Sequence, residues 1–219
     1  MARSITYSNR SRLRLKTFLR GKRFFATPEL MRLYKAQILS FIESSTPAIY
    51  HAAPSILARV DRVQDRFLRE IGLTALNALK DYRLAPLSSR RDMGMLGALH
   101  KVTLDLAPPQ LQAMFPRIGC ITEPQHRQRM RYWRPLHSRQ LGTHATFLSS
   151  TVFKRSAFGL VHCYNALPQG VADLETVKAM QRHLQAALLK LAEQGAEDLP
   201  RFYSNGWKRL PRTKLDTLF

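Results

Sequence analysis

One stretch of the sequence carries four arginines whose type and spacing suit the binding of phosphate. They recur three or four positions apart, as Arg59, Arg62, Arg66 and Arg69. On a helix of about 100° per residue they fall within an arc of about 80°. The guanidinium group presents a planar fork of N–H donors that matches phosphate oxygens. The spacing therefore predicts a row of phosphate-binding groups along one helix face.

A charged face that is simply exposed to water is the other interpretation of this row. Asp65 and Glu70 lie in the same stretch and offer carboxylates to the arginines. The use of arginine throughout the row, without lysine, favours phosphate. On this stretch alone both interpretations stay open.

The row requires a helix, and the apolar residues of the same stretch predict one from Ser55 to Gly72. They have helical spacing and lie on a different face from the arginines: Val60, Val63, Phe67 and Ile71. Gly72 is expected to end the helix. A preceding amphipathic helix is expected to begin at Thr27, as its cap, with Pro28 in the first turn, and to end before Pro47.

A basic segment precedes both helices. Residues 1–25 contain no acidic residue, and their candidate phosphate contacts are Arg10, Arg12, Arg14, Lys16, Arg20, Lys22 and Arg23. Apolar residues are interleaved with these cations. Three interpretations compete: a nucleic-acid or nuclear-localisation arm, which we favour, a mitochondrial presequence, and a basic helix that leads into Thr27.

The remaining sequence is also predicted to be helical. Ser89 is expected to cap one helix and Asp173 another, and Gly94 and Gly97 are expected to mark close helix packing. At most one short strand is expected, near residues 147–153. We therefore predict an all-α fold, with a thumb-like helical bundle at 1–80, a second helical region at 81–195 and a polar basic tail at 196–219.

An irregular basic stretch, residues 116–150, separates parts of this second region. Tyr132 and Trp133 lie among its cations. Aromatic rings interleaved with arginine are typical of surfaces on which unpaired bases stack. The pair is therefore a candidate stacking site, although a Tyr-Trp pair more often anchors a loop on the core.

The overall charge points to a polyanionic partner. The 219 residues include 35 lysines and arginines against 15 acidic residues, a formal net charge of +20. Nucleic acid is the first partner to consider and an anionic membrane surface the second. No apolar stretch is long enough to span a bilayer. Two cysteines fit a reducing compartment, and no secretory signal is expected.

Residue patterns for catalysis are missing from the sequence. No Asp-Asp pair offers a two-metal site, and no phosphate-binding loop of the GxxxxGK type or GxGxxG motif occurs. The seven histidines show no spacing typical of metal ligands. We therefore expect no catalytic residues, no metal site and no cofactor in this chain.

Four segments, taken in order, resemble the region downstream of the polymerase palm in non-LTR (LINE-type) retrotransposon reverse transcriptases. They read LYKAQILSFIESSTPAIY, RVDRVQDRFLREIG, RLAPLSSRRDMGMLGALHKV and KRSAFGLVHCYNALPQGVADLETVKAMQRHLQAAL. The resemblance extends from about Arg10 to Leu191. Ser44 stands where the family usually has an aromatic residue, Tyr164 replaces the usual tryptophan, and Met180 stands where phenylalanine is common.

The resemblance implies a helical thumb that grips a template–primer behind an active site. In that family the fingers and the palm, with its catalytic aspartates and Mg²⁺, lie upstream of the matching region, so this chain is expected to be non-catalytic although the parent family is an RNA-directed DNA polymerase. The expected partners are RNA or RNA–DNA duplex, and a separate palm-containing chain is a further candidate. The expected location is nuclear or cytoplasmic rather than mitochondrial.

Two alternatives to this function remain at the level of sequence. The chain could be a helical protein-interaction module, or a non-functional relic of a mobile element. The apolar residues of the basic segment bear on both, because a segment exposed to water needs fewer of them. If they are exposed, the protein is expected to associate with itself or with a partner.

Overall fold

The protein is helical throughout the part of the chain that its computed structural model describes. That part comprises residues 2–118, 137–142, 151–196, 199–200, 202–204, 208 and 217–219, with side chains from residue 9 onward. Within these ranges no β-sheet forms. Arg117 and Leu141 make an isolated antiparallel β-bridge. The predicted all-α fold class is confirmed.

The chain packs as two compact units. The first consists of Met1–Arg91 together with Leu188–Pro200, and the second of Asp92–Ala187 together with Arg201–Phe219. The boundary at Arg91 falls within a helix, and the first unit also takes in the late segment Leu188–Pro200.

The first unit is built from short and medium helices around one long amphipathic helix. In order they are α1 (Ala2–Leu19), a 3₁₀ turn (Lys22–Phe24), α2 (Thr27–Tyr34), a π-helical segment (Lys35–Leu39), α3 (Ser40–Ser44), α4 (Thr46–Ile49), α5 (Pro54–Glu70), α6 (Ala75–Tyr82) and the first turn of α7 (Leu87–Thr103). Helix α5 occupies the centre, since α1, α6 and the core side chains of α2 pack against it.

The core of this unit gathers the apolar residues expected from helical spacing. Tyr34, Val63 and Phe67 are almost completely buried, and Leu15 of α1 joins them. The ring of Phe18 meets the ring of Phe67 edge-on at 6.0 Å between centroids. The burial of Leu15 and the half-burial of Phe18 attach α1 to α5 by apolar contact.

The expected helix from Thr27 to Pro47 is present, but its details differ from the prediction. Ala26 rather than Thr27 occupies the N-cap position, and its backbone N–H donates to the Glu29 carboxylate at 3.0 Å. A π-helical segment, Lys35–Leu39, interrupts the α-helical pattern. An extra residue in one turn shifts the side chains that follow it, a shift that periodicity does not reveal.

The end of α5 matches the prediction. Gly72 has a φ angle of +73°, and the backbone N–H of Leu73 donates to the carbonyl of Leu68 at 2.9 Å. This arrangement is the αL termination for which glycine is preferred.

Ser89 was expected to cap α7, and this prediction was wrong. The helix begins two residues earlier, at Leu87, and Ser89 lies inside it. Its buried hydroxyl donates to the carbonyl of Leu199 at 2.6 Å. The side chain therefore connects the first helical turns of α7 to the late segment of the chain that completes the first unit.

The second unit contains the rest of α7 and a further set of helices. They are α8 (Pro109–Met114), α9 (Thr151–Lys154), α10 (Ala157–Asn165), α11 (Gln169–Ala172) and α12 (Val177–Glu193), the last turns of which belong to the first unit. Gly97 lies where a Cβ would come within 2.6 Å of the Gln181 side chain and 2.9 Å of Val177. The expected close helix packing at Gly97 is thus present.

One prediction within the second unit was wrong. Asp173 does not cap α12, because the hydroxyl of Thr176 accepts the backbone N–H of Ala179 at 3.1 Å, and the helix begins at Val177. At most one short strand was expected near residues 147–153, and the described part of that range is helical, since α9 begins at Thr151. The side chain nearest to the free N–H groups, that of Thr176, is the one that caps the helix.

Candidate nucleic-acid interface

The four predicted arginines lie side by side on the exposed face of α5. Val60, Val63 and Phe67 of the same helix are buried, so the helix divides into an apolar face and a guanidinium face. All members of the row are exposed to water: Arg59, Arg62, Arg66 and Arg69. At about 1.5 Å of rise per residue the row extends about 15 Å along the helix axis.

Helix α1 turns this row into one wall of a recess. The recess has a volume of about 460 Å³, and Arg12 and Asn9 of α1 line it opposite the arginines of α5. Its apolar surface comes from Leu15 and Val63, both almost completely buried. Five guanidinium groups from two helices therefore surround a single concave surface.

No carboxylate lines this recess or forms an ion pair with its arginines in the described part of the chain. Glu70 pairs instead with Lys22, at 2.7 Å between Oε2 and Nζ. That hydrogen bond with Lys22 lowers the pKa of Glu70. Asp61, the other acidic residue in the ion pairs of α5, binds the buried Arg91 with both carboxylate oxygens, one of them at 3.0 Å.

Asp65 lies closest in sequence to the arginine row, yet it makes no ion pair with it among the described residues. Desolvation raises its pKa, and Arg69 and Arg62 oppose that shift through their charges. Asp65 and Glu70 therefore do not neutralise the row by direct pairing among the described residues. They act on the row through their charges alone.

The other cations expected to bind nucleic acid do not line the recess. Arg14 lies with its guanidinium carbon 3.9 Å from the ring centroid of Phe41, and Arg23 lies 4.8 Å from that of Phe24. Lys22 is engaged with Glu70. The remaining members are exposed on or just after α1: Arg10, Lys16 and Arg20. Of the predicted residues of the basic segment, the recess includes Arg12.

A second concave surface lies beside α1 and is largely apolar. It has a volume of about 950 Å³, and Leu13, Phe18, Ile38 and Phe41 contribute to it. Leu13 is 66% exposed. Some of the apolar residues of the basic segment thus pack on the core, whereas others remain in contact with water.

Tyr132 and Trp133, the candidates for base stacking, lie outside the described residues. Their stacking role stays a prediction.

In the second unit, the residues of the YNALP segment hold the core together rather than face a recess. The buried hydroxyl of Tyr164 lies 2.9 Å from His100 Nδ1 and 2.9 Å from the hydroxyl of Thr103. Asn165 pairs through its side-chain amide with both backbone groups of Leu141, at 2.9 and 2.8 Å. Tyrosine at position 164 supplies a hydroxyl that completes this buried network.

Hydrogen bonds also define which ring nitrogen carries the proton in the two histidines near Tyr164. His100 Nε2 lies 2.8 Å from the carbonyl of Leu174, and His137 Nε2 lies 3.0 Å from that of Tyr164, so each Nε2 donates. Nδ1 of His137 accepts the backbone N–H of Arg139 at 3.1 Å. Desolvation lowers the pKa of both histidines, and desolvation raises that of Tyr164 to about 12. Neutral imidazoles suit these partners.

Neither a metal cluster nor a membrane span occurs in the described ranges. No group of three or more histidine, cysteine, aspartate or glutamate side chains is placed to hold an ion there. The helices in those ranges are also too short or too polar to cross a bilayer.

Comparison of the chain with protein-family models, with curated proteins and with solved structures finds no match.

Sequence reasoning identified the arginine row but not the recess. Helical periodicity defines the faces of one helix and does not say which faces of two helices meet. Asn9 was missed altogether, and its spacing of three residues from Arg12 was the available signal that the two share a face. Leu15 is one of several apolar residues interleaved with the cations of this segment, and its apolar character alone does not single it out.

Proposed function

We propose that this chain is a non-catalytic nucleic-acid-binding protein that resembles the thumb and C-terminal region of a non-LTR retrotransposon RNA-directed DNA polymerase. In this proposal its arginines grip the phosphates of a template–primer, either RNA or an RNA–DNA duplex. The observation that carries the proposal is the convergence of Arg12 with the four arginines of α5 around one recess. The ordered resemblance of the four sequence segments supplies the family.

Phosphate is the chemistry that this surface suits best. Each guanidinium offers several N–H donors in a rigid fork, and a row about 15 Å long can contact several phosphates of one strand. The formal charge of +20 adds long-range attraction to a polyanion. Contacts to phosphate position a protein on nucleic acid without reading its bases, so the proposal predicts little sequence preference.

The proposal assigns no reaction to this chain. In the family that it resembles, Mg²⁺ and the catalytic aspartates belong to the palm, and a palm-containing chain is the corresponding candidate partner. The proposed location is nuclear or cytoplasmic, where template and primer are found.

The test is the salt dependence of binding to a short RNA–DNA duplex, measured by fluorescence anisotropy. Binding should weaken steeply with salt, because each neutralised phosphate releases a counterion. Changing all four arginines of α5 to glutamine should reduce the slope of log K against log salt by about 3 to 4, given about 0.9 per phosphate contact. An unchanged slope would remove α5 from the interface.

A matched control separates the recess from net charge. Four exposed cations of the second unit can be changed to glutamine together: Lys101, Lys154, Lys178 and Arg182. This variant loses the same charge and should change the slope by less than half as much. Equal effects of the two variants would mean that binding follows total charge alone.

The apolar surface beside α1 favours a second candidate function, that of a helical protein-interaction module. Its exposed Leu13 and half-buried Phe41 offer contact area that a nucleic acid does not require. Changing Leu13 to glutamate should abolish self-association or partner binding if this surface is used. A wild-type protein that sediments as a monomer and melts in one sharp transition would count against an aggregating relic.

A further inference from the structure

The docking of α1 on α5 combines apolar attraction with electrostatic repulsion. Leu15 is buried against Val63, and the ring of Phe18 meets that of Phe67. These contacts favour the docked helix. The same docking brings Arg12 to the recess that the four arginines of α5 line.

No described acidic residue lines the recess to offset this repulsion, and Asp65 and Glu70 act on the row only from outside the lining. Its charged lining residues are all arginines, and none of them makes an ion pair with a described carboxylate. Helix α1 has no acidic residue in its sequence either. Like charges drawn together at a surface oppose association, and more strongly when the salt concentration is low.

With an anion in the recess, the charges of the arginines would favour docking of α1 instead of opposing it. Arg12 and the α5 arginines surround a common space only when α1 is docked, so an anion that contacts both helices binds the docked state more tightly than the undocked one. A ligand with such a preference must shift the population towards the docked state.

We propose that linked phosphates in the recess clamp α1 onto α5, so that binding of a nucleic-acid backbone and docking of α1 are thermodynamically coupled. The inference rests on the proposed function for the identity of the ligand, and on the recess alone for the anion chemistry. Linked phosphates are the preferred occupant because a single small anion cannot contact a row about 15 Å long together with the opposite wall.

Hydrogen exchange of the α1 backbone amides measures this docking in the full-length protein. An isolated helix of 18 residues is at best marginally stable in water, so undocking exposes the α1 amides to exchange. Tripolyphosphate is the probe, and sodium chloride at the same ionic strength is its reference. We expect tripolyphosphate to slow exchange in α1 by about tenfold, within the usual range of coupling between two equilibria.

Two variants on α1 make the test specific. Arg12→Gln removes the recess residue of α1 and should abolish most of the slowing. Arg10→Gln changes an exposed arginine on the same helix that does not line the recess, and it should keep the full effect. Because both positions are exposed, neither change should unfold the chain, which circular dichroism would verify. Equal slowing in both variants, or equal slowing by sodium chloride, would overturn the coupling.

Binding of an RNA–DNA duplex, measured separately, distinguishes failure of the coupling from failure of the proposed function. A duplex that binds without slowing exchange in α1 would overturn the coupling and leave the proposed function standing. Slowing by tripolyphosphate without any binding of duplex would support the phosphate clamp and contradict the nucleic-acid function. Slowing by both ligands, lost in Arg12→Gln, would support both.

Discussion

The rings of Tyr34 and Phe67 stack face to face, with 3.9 Å between their centroids and an angle of 4° between their planes. The contact joins α2 to the last turn of α5, two residues before the last arginine of the row. Both side chains are almost completely buried. The position of the arginine face therefore depends on this aromatic pair, as well as on the helix that carries it.

Phe67→Ala should destabilise the first unit by about 3–5 kcal/mol, because it removes a buried ring and leaves a cavity. Unfolding in urea, followed by circular dichroism, would measure the change. Arg66→Ala on the same helix is the control, since its side chain is exposed and should cost less than about 0.5 kcal/mol. A loss below about 1 kcal/mol for Phe67→Ala would contradict the packing described here.

Tyr34→Phe should instead stabilise the first unit. The Tyr34 hydroxyl is buried and has no hydrogen-bond partner among the described residues, and burial raises the pKa of that group. Removing an unsatisfied polar atom while keeping the ring should stabilise the unit by about 1 kcal/mol. A destabilised variant, in the same urea experiment, would mean that the hydroxyl has a partner.

Two ion pairs in the protein should differ in their contribution to stability. Arg91 is buried and binds both carboxylate oxygens of Asp61. Asp61→Asn should therefore cost about 2–4 kcal/mol, because it leaves a buried guanidinium without its partner charge. Asp105→Asn removes the exposed partner of Arg117 and should cost no more than about 1 kcal/mol. Similar losses for the two variants, compared by thermal melting, would contradict this ranking.

Close packing at Gly97 should be sensitive to a single methyl group. A Cβ there would lie 2.6 Å from Gln181 Nε2 and 2.9 Å from Val177 Cγ1. Gly97→Ala should therefore destabilise the second unit by about 1–3 kcal/mol. Gly170→Ala is the matched control, since no atom lies within 4 Å of the added carbon. Its expected effect is neutral or slightly stabilising, because alanine restricts the unfolded chain.

Stability of the second unit should fall below neutral pH. Desolvation lowers the pKa of His100 and His137 in the folded protein, whereas in the unfolded chain each returns to about 6.5. As the pH drops through about 6.5, the unfolded state binds protons that the folded state does not, so the free energy of unfolding decreases. The loss stops growing once the pH is below the lowered folded values.

The groups around His137 determine how strongly its protonation is disfavoured in the folded protein. Protonation of Nδ1 would place a second N–H against the backbone N–H of Arg139. The charge of Arg139 also disfavours the imidazolium, whereas that of Asp173 favours it. Urea unfolding at pH 7.5 and 5.0 would measure the change, with the exposed His183→Gln variant as a control that keeps it. Equal stability at both pH values would contradict the lowered pKa values of His100 and His137 in the folded protein.

The features that sequence could predict here are properties of single helices. The arginine face of α5, the buried Val63 and Phe67, and the glycine that ends the helix all follow from periodicity and backbone conformation. The π-helical segment does not, because its extra residue leaves the local composition unchanged. Ser89 and Asp173 were assigned as caps because polar residues near helix starts are frequent. Competing partners, the carbonyl of Leu199 and the hydroxyl of Thr176, decided otherwise.

The candidate site shows the same limit at a larger scale. Arg12 and Arg62 were both predicted to bind phosphate, but only the packing of Leu15 brings them to one recess. Such convergence depends on contacts between residues far apart in sequence, and a single sequence without relatives carries little information about them. Lys22 illustrates the converse, since it was predicted to bind phosphate and pairs with Glu70 instead.

The return of residues 188–200 to the first unit affects how the protein can fold on the ribosome. Residues 1–91 leave the exit tunnel before residues 188–200, yet the carbonyl that accepts the Ser89 hydroxyl belongs to Leu199. The nascent first unit must therefore wait for about a hundred further residues before its packing is complete, or about 5–20 s at the usual rate of synthesis. During that interval its arginines are already exposed to the RNA-rich surface on which the chain is made.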